Sequence, residues 1–134
     1  MDKRKTILIV DDVEMNRSLL ADILSPSYNI IEASTGIEAI AILSRSISEI
    51  SLMLLDILMP EMDGIEVLST INGNRWINTL PVVMLSSEST MPYIEKAYQL
   101  GATDYITRPF DEMTVCHRVQ NAIALHVKQK ALED

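Results

Sequence analysis

The chain of 134 residues contains one cysteine, Cys116, so no disulfide can close within it and no thiolate cluster can hold a metal. That usage suits a reducing compartment. Basic residues are also scarce, with 11 Lys and Arg against 19 Asp and Glu and a net charge of -8. Gripping a nucleic-acid backbone takes clustered Lys and Arg, so no direct nucleic-acid binding is expected. The few basic residues at Lys3, Arg4, Lys5, Arg118, Lys128 and Lys130 read as solvated surface. No apolar run approaches the roughly 18 residues that span a bilayer. The run after Met1-Asp2-Lys3-Arg4-Lys5 is too short for a signal peptide, so the expected location is cytoplasmic, with no membrane partner. Glycine and proline number only four and five, and 48% of the residues are apolar against 22% charged. That balance excludes a disordered chain, and the length fits one domain.

What the chain does have is a repeated pattern of short apolar runs that stop on polar groups. Ile7-Leu8-Ile9-Val10 breaks into Asp11-Asp12, and Leu52-Met53-Leu54-Leu55 breaks into Asp56. Runs of this length read as strands buried on both faces, as in a parallel sheet covered by helices. In such sheets ligands bind at the carboxyl ends of the strands. Three carboxylates meeting there would repel one another, and a hard divalent cation with oxygen ligands relieves that repulsion.

Strand-like and helix-like segments alternate along the whole chain. The strands are expected at Thr6 to Val10, Tyr28 to Ala33, Leu52 to Leu55, Val82 to Leu85 and Asp104 to Thr107. A first helix from about Glu14 to Leu24 is stopped by Ser25-Pro26-Ser27. Thr35 and Glu38 form a capping-box pattern for a second helix that turns Ile37, Ile40, Ala41 and Leu43 toward the core. Asp63-Gly64 reads as a turn and start of the third helix, which carries Ile65, Leu68 and Ile71 on one face. Ser86 to Thr90 reads as a loop before a fourth helix from about Pro92 to Leu100. Asp111 caps a last helix whose apolar face is Met113, Cys116, Val119, Ile123 and Val127. With no hairpin signal, five strands joined by helices imply right-handed crossovers and helices on both faces of a parallel sheet.

In chain order the polar residues are Asp11-Asp12, Asp56 with Met59-Pro60, Asp63-Gly64, Ser86 and Arg108-Pro109-Phe110. Each of these elements is weak alone. Together, in this order and mostly at strand ends, they resemble the receiver domain of bacterial two-component response regulators. The resemblance implies a flavodoxin-like (βα)5 doubly wound fold with strand order 2-1-3-4-5. It assigns residues 1–127 to the receiver and 128–134 to an extension of the last helix, a linker toward an output module. By analogy alone, such an output is a cyclic-dinucleotide enzyme or another effector.

The chemistry implied by the resemblance follows from residue type. Asp56 would accept a phosphoryl group from a phosphohistidine on a sensor histidine kinase or phosphotransfer protein, forming an acyl phosphate. Asp11, Asp12, Asp56 and the backbone carbonyl of Leu58 would hold Mg²⁺. Ser86 would hydrogen-bond a phosphoryl oxygen, and Arg108 would pair with the phosphoryl charge where the family usually has Lys. Tyr105 falls at the aromatic switch position, and Arg108-Pro109 at a peptide bond commonly cis in the family. Leu58 and Glu88, two residues past Asp56 and Ser86, line the approach of water. The output face would be the fourth helix, fifth strand and fifth helix, used for homodimerisation or output contact. The module would catalyse its own phosphorylation and dephosphorylation, with no separate substrate turnover.

Two other readings use the same residues differently. In a pseudo-receiver the fold binds a partner without phosphoryl chemistry, and Arg108 in place of Lys is the feature that points there. A Mg²⁺-dependent phosphatase or phosphotransferase would share the nucleophilic Asp56, but it needs a general acid or base nearby, and the position two beyond is the inert Leu58. Elsewhere the chain offers little chemistry. Cys116 reads as core, His117 and His126 as surface, and Trp76 as packing.

Overall fold

The computed structural model describes residues 4–133, so Lys3 of the basic start and Asp134 lie outside the described residues. Five parallel strands form one sheet in the order β2-β1-β3-β4-β5. They are β1 (Thr6–Val10), β2 (Asn29–Ala33), β3 (Leu52–Asp56), β4 (Val82–Ser86) and β5 (Asp104–Thr107). Between and after them run α1 (Glu14–Leu24), α2 (Gly36–Ser46), α3 (Gly64–Gly73), α4 (Ile94–Gln99) and α5 (Glu112–Glu133). This is the flavodoxin-like doubly wound order. Among the described residues no helix is long and apolar enough to cross a membrane.

The period-two alternation of a strand sorts the core into two layers. Ile7, Ile9, Leu52, Leu54, Val83, Leu85 and Ile106 pack against α1 and α5 through Leu20, Leu24, Val115, Val119 and Ala122. Leu8, Val10, Met53, Leu55, Val82 and Met84 face α2, α3 and α4 through Ala39, Leu43, Val67, Leu68, Ile71, Ile94 and Ala97. Every side chain of β3 and β4 is buried, as expected of central strands covered on both faces. The register then sets the site. Val10 lies beside Leu55, Asp56 beside Leu85 and Ser86 beside Thr107, so the polar residues at the ends of β1, β3, β4 and β5 come level.

Several local expectations need correction. β2 begins at Asn29 because the Tyr28 amide still donates to the Leu24 carbonyl at the end of α1. In α2 the buried residues are Gly36, Ala39 and Leu43; Ile37 is 60% exposed and Ala41 also faces outward. Thr35 does cap α2, but Glu38 reaches back to the Ser34 amide, one residue before the cap. The stretch before α4 is no open loop: Glu88–Tyr93 form a 3₁₀ turn, closed by a Ser87–Thr90 capping box, and Pro92 delays the α-helix until Ile94. In α5 the inward residues are Val115, Val119 and Ala122, whereas Met113 is 68% exposed, Val127 is exposed and Cys116 is half-buried. Apolar spacing alone allowed either phase of α5. The observed one lets Arg118 donate to the Asp104 carboxylate and the Tyr105 carbonyl. Nor are all the basic residues simply solvated, since Arg4 donates to the Ser25 and Tyr28 carbonyls across the α1–β2 turn.

Asp63-Gly64 plays the structural part expected of it. Asp63 accepts from the Glu66 amide while the Glu66 carboxylate accepts from the Asp63 amide, a complete capping box. Gly64 lies directly on the end of β3, where an added Cβ would stand 2.1 Å from the Asp56 carbonyl oxygen. No side chain fits against that backbone. Gly64→Ala should therefore cost about 1–3 kcal/mol through forced backbone shifts, read as a lower urea midpoint. Gly73→Ala, with nothing within 4 Å of the added carbon, should change stability by less than about 1 kcal/mol, toward stabilisation.

Candidate functional site

The site forms where the strands run out of apolar residues. Asp11 follows β1 and is fully buried, Asp56 closes β3 at 3% exposure, and Asp12 beside them is exposed. One carboxylate oxygen from each lies within 4.8 Å of the others. Asp11 Oδ1 accepts from the Val13 amide at 2.9 Å, which turns its other oxygen, Oδ2, toward Asp56 and Arg108. The Asp11 carbonyl accepts from Arg17 at 2.8 Å, and Arg17 also pairs with Glu32 at 3.1 Å, tying α1 to the ends of β1 and β2.

The electrostatics follow from the crowding. Burial and the charge of Asp11 push the Asp56 carboxyl up to about 6, although the Arg108 hydrogen bond pulls it down. Arg108 answers both acids. Its Nη2 donates to Asp11 Oδ2 at 2.8 Å and lies 3.0 Å from Asp56 Oδ1. Burial pushes the guanidinium pKa down, but the hydrogen bonds and charges of Asp56 and Asp11 more than reverse that. The arginine thus reaches the Asp56 carboxylate despite its longer, planar head group. The Arg108-Pro109 peptide is cis, as the family resemblance implied.

Ser86 is fully buried at the end of β4. Its hydroxyl has long contacts: 3.4 Å to Thr107 Oγ1, 3.5 Å to the Ile106 carbonyl and 3.8 Å to Met91 Sδ. Leu58 is 64% exposed and, with Ile57, Asp63, Ile65, Glu66 and Tyr93, lines an apolar cavity of about 190 Å³ beside the acceptor. Its amide lies 3.4 Å from Asp56 Oδ1. Glu88 is exposed on the 3₁₀ turn.

Tyr105, half-buried, lies two residues before Thr107 on the same face of β5, packed against the core layer under α2, α3 and α4. Its ring meets that of Tyr98 edge-on, with centroids 6.4 Å apart, and the Arg118 guanidinium lies 5.7 Å above it. Arg118 also pairs with Asp104 at 2.8 Å and donates to the Tyr105 carbonyl at 2.6 Å. Arg17 and Thr107 are not singled out by the sequence, and Arg118, read there as solvated surface, is instead paired with Asp104 and the Tyr105 carbonyl. Each is a single residue without a motif, and only the register of β5 or the phase of a helix brings it to the site.

The donor set fits a hard divalent cation: three carboxylates, all oxygen, one of them open to solvent. Asp11, Asp12 and Asp56 are thus suited to binding Mg²⁺.

Comparison with known proteins agrees with this geometry. The family model for the response regulator receiver domain matches residues 7–120. A probable cyclic di-GMP phosphodiesterase of Vibrio cholerae is 36% identical over 129 residues, covering 96% of this chain and 28% of that protein. Histidine kinase P4 of Formosa agariphila is 33% identical over 129 residues, covering 96% of this chain and 9% of that protein. The chain therefore spans well under a third of the length of these curated relatives. The crystal structure of NtrX from Brucella abortus superposes with a TM-score of 0.88 at 28% identity, covering 98% of this chain and 29% of that one. The parallel order of the sheet, the acidic cluster at its carboxyl edge and the span of the family match agree, and the chain belongs to the response regulator receiver domains of two-component signalling.

Proposed function

We propose that the chain is a phosphorylation-dependent switch in which Asp56 accepts a phosphoryl group from a histidine kinase or phosphotransfer protein. One observation carries this reading: the Asp56 carboxylate sits in a buried acidic cluster with Arg108 already 3.0 Å away. A carboxylate oxygen of Asp56 attacks phosphorus as the donor's P–N bond breaks, and the electron pair leaves with the donor imidazole. Asp11, Asp12, Asp56 and the Leu58 carbonyl would hold Mg²⁺, which when bound supplies neutralising charge for the phosphoryl oxygens. Arg108 supplies a fixed positive charge 3.0 Å from Asp56 Oδ1, and its paired N–H groups suit a phosphoryl oxygen as well as a carboxylate.

The added group brings about -1.5 to -2 charges. In this reading it recruits the Ser86 hydroxyl, whose present contacts are all 3.4 Å or longer. Movement of Ser86 empties space beside Thr107 and Met91, and Tyr105 turns inward. The α4–β5–α5 face then changes shape for a homodimer or output partner, working in the cytoplasm. Residues 1–127 form the switch, and residues 128–134 extend α5 as a linker. The pseudo-receiver alternative rests on Arg108, but its placement against Asp56 supports phosphoryl chemistry.

Incubation with Mg²⁺ and acetyl phosphate should add one phosphoryl group by intact mass, and Asp56→Asn should abolish it. An unlabelled wild-type chain, under conditions that label an ordinary receiver, would favour the pseudo-receiver. The exposed apolar Leu58 stands beside the acceptor where an attacking water must approach. Leu58→Asn should therefore shorten the acyl-phosphate half-life by a factor of about three to ten, within about 1.4 kcal/mol of barrier. Loss of the mass adduct over time measures it, and an unchanged half-life rejects shielding by Leu58.

A further inference from the structure

One neighbour of the Ser86 hydroxyl is open to covalent chemistry. The hydroxyl has a single hydrogen to offer and three long contacts: 3.4 Å to Thr107 Oγ1, 3.5 Å to the Ile106 carbonyl and 3.8 Å to Met91 Sδ. A thioether is a weak acceptor, so the sulfur does little to hold the hydroxyl. The 3₁₀ turn Glu88–Tyr93 brings that sulfur back to the end of β4. The Ser87 amide donates to Thr90 Oγ1 at 2.8 Å, the Thr90 amide donates to the Ser87 carbonyl at 3.1 Å, and Thr90 is buried. Met91 follows directly, and its carbonyl accepts from the Ile94 amide where α4 begins.

Met91 also differs from the methionines of the sheet. It belongs to neither core layer and is 37% exposed, whereas Met53 and Met84 are fully buried. Its thioether therefore lies at the boundary between solvent and a fully buried hydroxyl. A peroxide oxidises such a group in a balanced two-electron step. The sulfur lone pair attacks one peroxide oxygen, the S–O bond forms as the O–O bond breaks, and the departing oxygen takes up the proton and leaves as water. Sulfur is oxidised and the peroxide is reduced. The product carries a strongly accepting oxygen where a weak acceptor stood, and the unbranched side chain has the torsional freedom to turn it toward Ser86.

We infer that Met91 is a redox modification site, whose sulfoxide captures the Ser86 hydroxyl and withholds it from a phosphoryl group on Asp56. This rests on the reading of Asp56 as acceptor and Ser86 as the recruited hydroxyl. In the thioether form Ser86 leaves weak contacts to meet the phosphoryl oxygen. In the sulfoxide form it must first give up a good hydrogen bond, so peroxide dampens the switch. Methionine sulfoxide reductases reverse the modification and restore the response.

The test uses the whole chain carrying Cys116→Ser, which removes the half-buried thiol as a second target for oxidant. After treatment with hydrogen peroxide, peptide mass mapping should find one added oxygen on Met91, together with the more exposed Met15 and Met113 and ahead of Met53 and Met84. Labelling by acetyl phosphate and Mg²⁺, followed by intact mass, should slow by about three- to tenfold. Reductases acting on both sulfoxide epimers should restore the rate. Met91→Leu should label at the rate of the untreated parent and lose the sensitivity to peroxide. Ser86→Ala should label more slowly from the start, with no further slowing on oxidation. Met91 left unoxidised while Met15 and Met113 react, or an unchanged rate once it is oxidised, overturns the inference and leaves the phosphoryl switch standing. Equal slowing by peroxide in Met91→Leu or in Ser86→Ala does the same, because the effect then bypasses this pair. An untreated parent that takes no phosphoryl group, under conditions that label an ordinary receiver, overturns the switch reading and the inference with it.

Discussion

Everything at the carboxyl edge of this sheet is arranged around one unfavourable contact, the approach of two buried carboxylates. The β1–β3 register brings Asp11 level with Asp56, because Val10 pairs with Leu55 one step earlier. Neither acid is free to move away: Asp11 is fixed by the Val13 amide, and Asp56 lies at the end of a strand whose five side chains are all buried. In such surroundings like charges interact more strongly than in water, and the Asp56 carboxyl rises to about 6. A cation is needed whether or not the site is phosphorylated. Arg108 meets that need from within the chain, and the convergence of three carboxylates, one of them open to solvent, is what makes the cluster suitable for a metal.

The constraint explains features that would otherwise look unrelated. Gly64 is required because the loop after β3 returns so closely that its amide donates to the Ile57 carbonyl at 2.8 Å, beside the Asp56 backbone. That close return packs the start of α3 against the end of β3, with Asp63 and Glu66 forming its capping box. On the other flank the Arg108 amide donates to the Ser86 carbonyl. Arg108 and the candidate switch residue Ser86 are therefore joined by backbone pairing at the ends of β4 and β5.

Much of this was readable from residue order, because strands buried on both faces leave continuous apolar runs whose ends are unambiguous. β1 and β5 match their expected bounds, and the carboxylates, Ser86 and Arg108 were placed at strand ends before any coordinates. Helix faces were less legible. α5 carries enough apolar residues to satisfy two phases, and the choice between Met113 and Val115 as the inward residue depends on Arg118 meeting Asp104, a contact between separate elements. Ile37 failed as a core residue for a similar reason: Gly36 lies against Met62 and Val67, where an added Cβ would stand 2.7 Å from the Val67 side chain, so small residues take the inner face of α2. The double pairing of Arg108 was hidden as well. Sequence shows which residue follows β5, but not that one nitrogen will reach two acids.

The two polar groups proposed to move are held very differently, and this decides where the switch meets resistance. Ser86 has only long contacts, so recruiting its hydroxyl to a charged phosphoryl group replaces weak bonds with a strong one. Tyr105 is held more firmly, between the edge of Tyr98 and the face of the Arg118 guanidinium. Arg118 is itself anchored by Asp104 and the Tyr105 carbonyl. Inward rotation of the Tyr105 ring must therefore give up a cation–aromatic contact, whereas the Arg118 anchors to Asp104 and to backbone can persist. In the proposed switch, resistance would then lie on the α4–β5–α5 face and not at Asp56, and a partner that engages Arg118 or Tyr98 would act on the same equilibrium as a phosphoryl group.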